Sequence, residues 1–180
     1  PPPAMPPAPP LYSLVEVPAV PGSAQVSYQY MQRYPASNAI DGNPNTVFIT
    51  WTALRQNQWL SVQVPSGTRI GYIAVFNRND GEQYRAWLSP YEVWLGSAPG
   101  ETGMQHMCGL GQPQNAPVAS GLGPFMTWCD ARNDLNWVTI LIRRGRDRYL
   151  AFGEVKVFMT PDPPPSPPVP NPPPSPPSPP

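Results

Sequence analysis

The chain has 180 residues, with eleven Lys and Arg balanced by eleven Asp and Glu, one His and two Cys. A net charge of zero argues against a nucleic-acid binder driven by phosphate attraction. No run of 18 apolar residues occurs, so no helical membrane span is expected.

Proline divides the chain into three. Residues 1–10 hold seven prolines and residues 161–180 hold fourteen, leaving ten of the 31 for the stretch between them. The first segment reads as a polyproline II rod, residues 11–160 as one folded domain of ordinary size, and residues 161–180 as a second, Ser-Pro-rich rod. At about 3.1 Å per residue that second rod would reach on the order of 60 Å. A chain that starts on Pro1 and stops within a Ser-Pro repeat reads as a piece of something longer.

Within the middle stretch the strand candidates come in order. Tyr12–Val17 and Gln25–Met31 lead, followed by a turn-rich span, Ser37–Thr52. There Asp41-Gly42-Asn43-Pro44 forces a tight reversal, with Gly42 free to take positive φ and Asn38, Asp41 and Asn43 able to bond nearby amides. Such a turn gathers carboxylate, amide and carbonyl oxygens around a small volume, which suits a hard cation such as calcium; an Asx-rich turn without an ion is the alternative. Gln58–Val64 alternates strictly, Arg69–Asn77 is β-branched and aromatic, and the polar loop Arg78–Arg85 follows. Tyr91–Leu95 is a strand, residues 96–124 a long Gly/Pro-rich loop, and Phe125–Cys129, Trp137–Ile142 and Tyr149–Thr160 are three more strands. The basic loop Arg143–Arg148 reads as a solvated turn, with sulfated or uronic glycans as the sharper alternative. No window holds a capped 3.6-residue period. About eight short strands with regular turn signals predict an all-β sandwich, most simply a jelly roll, with polyproline II flanks.

Cys108 and Cys129 have 20 residues between them. A bond between them would close a loop worth roughly 3 kcal/mol in the chain-entropy model and would imply an oxidising, extracellular setting; two buried thiols are the alternative. An enzyme is not expected: one His, no Ser-His-Asp grouping and no paired carboxylates in a recognisable frame leave no acid, base or nucleophile to assign, and two Cys with one His make a poor zinc set.

Five segments, in order, carry a resemblance: Ala36–Thr46, Gln58–Val62, Ile73–Asp80, Ser89–Val93 and Tyr149–Val157. Together they resemble the discoidin, or coagulation factor 5/8 type C, superfamily over nearly the whole middle domain. The resemblance implies a galactose-binding-like jelly roll whose loops at one end bind glycans, proteins or lipid headgroups. From the fucose-binding lectin branch it implies a structural calcium held by the carbonyls of Asn38 and Asn43, the Asp41 carboxylate, Thr52 and Glu154; otherwise Glu154 is a strand-edge charge that keeps the sheet soluble. That branch's sugar motif, Arg-x-Asp-x4-Arg/Lys, is matched in spacing by Arg78, Asp80 and Arg85. Forked guanidinium donors suit adjacent hydroxyls, and an aromatic such as Trp51 can stack on the apolar face of a sugar. The pattern departs at its upstream His, since none lies in Trp51–Gln56 and the one His is His106; Arg55 is the candidate for that side of the pocket. A loop-bracing Arg78–Asp80 ion pair is the alternative role for those two.

The flanks resemble the hydroxyproline-rich glycoproteins of plant and green-algal walls and flagellar fibres, pherophorin-like wall proteins and mastigoneme fibres among them. This implies hydroxylation and O-glycosylation of Pro167, Pro168, Pro176 and Pro177 and of Ser166, Ser175 and Ser178. An unmodified linker is the alternative. Two functions are therefore expected: a structural or adhesion module of an extracellular fibre or cell wall that docks to neighbouring subunits and self-assembles, or a calcium-dependent lectin-like module. A membrane-binding role needs exposed apolar loop tips, which a sequence does not show, and it ranks third behind these two.

Overall fold

Alternating and β-branched runs fold as strands wherever one face can be buried, and this chain supplies them in antiparallel order. In the computed structural model the described residues are 14–51, 56–88, 90–102, 106–108, 121–144 and 149–160. The two proline-rich segments, Thr52 and Arg55 lie outside them. Among the described residues there are ten strands: β1 (Val15–Val17), β2 (Gln25–Val26), β3 (Phe48–Ile49), β4 (Gln58–Gln63), β5 (Ile70–Phe76), β6 (Glu92–Gly96), β7 (Phe125–Arg132), β8 (Trp137–Ile142), β9 (Ala151–Phe152) and β10 (Glu154–Met159). One short helix, α1 (Glu82–Arg85), and 3-10 turns at Ala36–Ile40 and Ala86–Leu88 complete the set.

Two four-stranded antiparallel sheets, β1-β10-β5-β7 and β2-β4-β8-β6, face one another, and β3-β9 forms a separate pair. Each sheet contributes alternate residues to the common core: Val17, Ile73, Val75, Val155 and Val157 from the first, Leu60, Val62, Val93, Val138 and Ile140 from the second. Phe48 and Phe152, packed edge to face from β3 and β9, plug one end of that core. The all-β sandwich expected from the alternation is the observed fold.

Four details differ from the sequence reading. Tyr149–Thr160 is not one strand, because Gly153 divides β9 from β10. Gln25–Met31 is a strand only at its start, continuing as a single bridge between Gln29 and Thr50. The polar loop after β5 holds a helical turn, and Phe48–Ile49 is a strand that its two-residue length concealed.

The disulfide pairs Cys108 with Cys129, at a Cα–Cα distance of 4.6 Å. Met107 bridges to Trp94 on β6, an edge of one sheet, while Cys129 lies on β7, an edge of the other. The bond therefore ties the two sheets together along one side.

The register fixes which loops share an end. Glu154 at the start of β10 pairs with Phe76 at the end of β5, and Met159 pairs with Val15 and Ile70. The loops around residues 41, 51, 78 and 149 thus gather at the Glu154 end, while Leu14 and Thr160 leave from the other. Call these the loop end and the terminal end.

Candidate functional site

The turn at the loop end is built by short-range bonds. Asp41 Oδ1 accepts from the Asn43 amide at 2.8 Å and Asn43 Oδ1 from the Asn45 amide at 3.1 Å, while Gly42 sits at φ +79°, as a side-chain-free residue can. Asn38 is anchored by its side chain, which donates to the Val47 carbonyl. The turn lies hard against the β9–β10 junction: a Cβ on Gly153 would sit 2.4 Å from the Pro44 carbonyl oxygen. Only glycine allows the approach, and the approach brings Glu154 to the turn.

The oxygen count at this turn exceeds its protons. Thr46 Oγ1 lies 3.3 Å from the Asn38 carbonyl, 3.1 and 2.8 Å from the two Asp41 carboxylate oxygens and 2.7 Å from the Asn43 carbonyl. A hydroxyl has one proton and can satisfy one of these at a time. Nearby, Glu154 is 3% exposed and its Oε2 is buried without a hydrogen-bond partner among the described residues. Burial first, then the Asp41 charge, push its carboxyl up to about 8. Two facing carboxylates, two carbonyls and a hydroxyl form an all-oxygen donor set of the kind a hard cation takes. Asn38, Asp41, Asn43 and Glu154 are brought together here. Thr52 is outside the described residues, and the hydroxyl at this place is that of Thr46, which sequence reasoning passed over although it closes the Asn-Pro-Asn-Thr turn.

The second constellation is the loop after β5. Asn77 organises it: its side chain donates to the carbonyls of Arg85 and Gly121 and accepts from the Arg78 amide. Arg78 is 3% exposed; its Nε and Nη2 each donate to the Asp80 carboxylate at 2.6 Å, a bidentate pair. Its guanidinium lies over the rings of Tyr84 and Trp87, and Nη1 has no hydrogen-bond partner. The hydrogen bonds from Arg78 hold the Asp80 carboxyl below its ordinary range. Arg85 reaches Glu82 at 3.3 Å and Asn79 at 3.5 Å, so Arg78, Asp80 and Arg85 share one loop. The brace and the motif are the same atoms.

Trp51 is half exposed, stacks on Tyr30 at 5.4 Å, and is linked towards Arg78 by successive ring contacts, Tyr30 to Tyr149 at 5.3 Å and Tyr149 to Trp87 at 4.8 Å. Tyr34 extends the row from the other side of Tyr30, with Arg33 over its ring. A buried knot holds the base of this row: Thr50 Oγ1 donates to Gln58 Oε1 at 2.6 Å, which also accepts from the Leu150 amide. The row was readable only in part, since Tyr28-x-Tyr30 looks like a strand and Trp87 and Tyr149 are distant in sequence. His106 belongs to the other half of the molecule, its carbonyl accepting from Leu95 near the terminal end of β6. Arg143 is committed to Glu92 at 2.8 Å.

Residues 23–108 match the family model of the F5/8 type C domain. Among solved structures, the fold here is similar to that of the family 32 carbohydrate-binding module of C. perfringens NanJ in complex with galactose, at 23% identity over 80% of this chain and 99% of that one, with a TM-score of 0.57. It is also similar to the lectin domain of lectinolysin complexed with Lewis b antigen, at 23% identity over 76% and 92% with a TM-score of 0.55, and to a Streptococcus pneumoniae fucose-binding module, at 18% over 81% and 99% with a TM-score of 0.55. No match was found among curated proteins. At these identities the likeness is one of fold.

Proposed function

We propose that this chain is a non-enzymatic binding module of an extracellular, proline-rich glycoprotein, and that its loop end contacts glycans. The observation that carries the reading is Trp51, half exposed and laid on Tyr30 in a row of rings that leads to the Arg78–Asp80–Arg85 loop. A flat aromatic face takes the C–H surface of a sugar. Similar folds include modules solved with galactose and with Lewis b antigen, which supports the ligand class. Asp80 and the two rings bury Arg78, so it braces the loop at this end.

Calcium at the turn is part of the same reading. Asn38, Asp41, Asn43, Thr46 and Glu154 supply oxygens in excess of donors, and a bound cation would relieve the facing carboxylates and fix the turn beside β10. The Cys108–Cys129 bond supports an oxidising location. The wall or fibre setting, and glycosylation at Ser166, Ser175 and Ser178 and the adjoining prolines, rest on the sequence of residues 161–180 alone. Docking to neighbouring subunits is the second reading, favoured by the apolar character of the exposed loop-end residues.

The test is calorimetric titration of the full chain, calcium present, with fucose- and galactose-terminated oligosaccharides. Saturable binding lost in Trp51→Ala is expected. No heat with any neutral or acidic oligosaccharide would overturn the glycan reading.

A further inference from the structure

Five large hydrophobic residues stand exposed among the described residues, and three of them, Tyr28 at 39%, Met31 at 41% and Trp51 at 51%, belong to one patch. The Trp51 amide donates to the Tyr28 carbonyl and joins the two segments, while the Gln29 side chain donates to the carbonyls of Met31 and Tyr34 and fixes the path of residues 29–34. Between them Tyr34, Tyr30 and Trp51 stand nearly parallel, with ring-centroid steps of 6.2 and 5.4 Å. The result is a ribbed aromatic strip along the edge of the loop end.

Ribbed aromatic strips are the complement of polyproline II, whose rings pack between aromatic side chains and which loses little entropy on docking. The chain itself supplies the ligand chemistry: residues 161–180 are fourteen prolines in twenty, with Asp162 the one charged side chain. We propose that the Tyr34–Tyr30–Trp51 strip of one molecule docks the proline-rich segment 161–180 of a second copy.

The direction of the chain favours a second copy over the same one. Thr160 leaves from the terminal end, where its amide is bonded to Arg69 and its neighbour Met159 pairs with Val15. The strip lies at the loop end, beyond the six residues of β10, about 20 Å away along the strand. The segment that follows Thr160 therefore starts at the end of the sandwich opposite the strip, which leaves it to the loop end of a second molecule. The contact is head to tail, so it propagates rather than closing into a two-fold dimer. It rests on the reading that the loop end is the binding face, and gives that face a protein partner beside the glycan.

Sedimentation velocity of the full chain over a wide concentration range tests this, with a synthetic peptide of residues 161–180 as competitor. Concentration-dependent association is expected, reversed by the peptide, and weakened by at least about tenfold in Trp51→Ala. Tyr34→Ala, at the other end of the strip, provides a second variant should Trp51→Ala misfold. A monomer at every concentration overturns the proposal, as does association that peptide and variants leave unchanged. A monomer in which the Trp51 fluorescence is already protected by its own proline segment also overturns it, in favour of intrachain docking. Oligosaccharide binding that persists while self-association fails would sink this inference and leave the glycan reading standing.

Discussion

Glu154 shows how one buried carboxyl can report on an ion. Its folded-state value, about 8, stands above the ordinary 4.5, chiefly because it is buried and faces Asp41. The folded protein therefore holds this proton more tightly than the unfolded chain does. With chelator present that contribution is full below about 4.5 and is lost as the pH rises towards 8, so the thermal midpoint should fall across that window. Calcium should lift the midpoint most at the high end, where both carboxylates are ionised, and Glu154→Gln should flatten the pH dependence and abolish the calcium response. Scanning calorimetry with calcium and with chelator checks both. Asp80 has the opposite sign: held low by Arg78, it stabilises above its ordinary 3.8 and the contribution is lost as the pH falls. Asp80→Asn should cost about 1–3 kcal/mol in urea denaturation, because it leaves a buried guanidinium without its anion. The short-range chemistry of the turn was legible, since Asp-Gly-Asn-Pro dictates its own bonds. Thr46 was not, because nothing local in the sequence shows that four acceptors will converge on one hydroxyl.

Among the elements, the junction of β9 and β10 sets the loop end. Gly153 lets the Pro44 carbonyl approach, and Gly153→Ala should destabilise by about 1–3 kcal/mol, as overpacking does, while raising the calcium concentration needed for half-saturation. Calcium titration followed by thermal melting separates the two effects. Strict alternation made β4 legible, and a β-branched, aromatic run did the same for β5. The two-residue strands β3 and β9 have no period to detect, and their pairing is fixed by Phe48 meeting Phe152 across the core end. The sequence motif Arg78–Asp80–Arg85 was legible as a spacing. That Trp51 would stand three ring contacts away from it was not, because the aromatic row is assembled from four separate loops.

For the molecule as a whole, the sandwich is closed along one side by Cys108–Cys129, and removing both thiols as serines should cost roughly 3 kcal/mol by freeing a loop of about 20 residues in the unfolded chain. Chemical denaturation measures it. The two ends of the sandwich then differ in kind: the terminal end releases the chain towards its proline-rich segments, and the loop end gathers the oxygen-rich turn, the braced Arg78 and the exposed rings. The central claim is that ligands meet the molecule at the loop end, and the six tryptophans are built-in reporters for it. Trp51 and Trp87 lie there, while Trp59, Trp94, Trp128 and Trp137 are carried by β4, β6, β7 and β8. The most direct measurement is a two-dimensional NMR titration of the six indole N–H signals with a fucose- or galactose-terminated oligosaccharide, calcium present. The account predicts that the Trp51 and Trp87 signals move together and saturate while the other four stay in place. Movement confined to the strand tryptophans, or no movement at all, would contradict it.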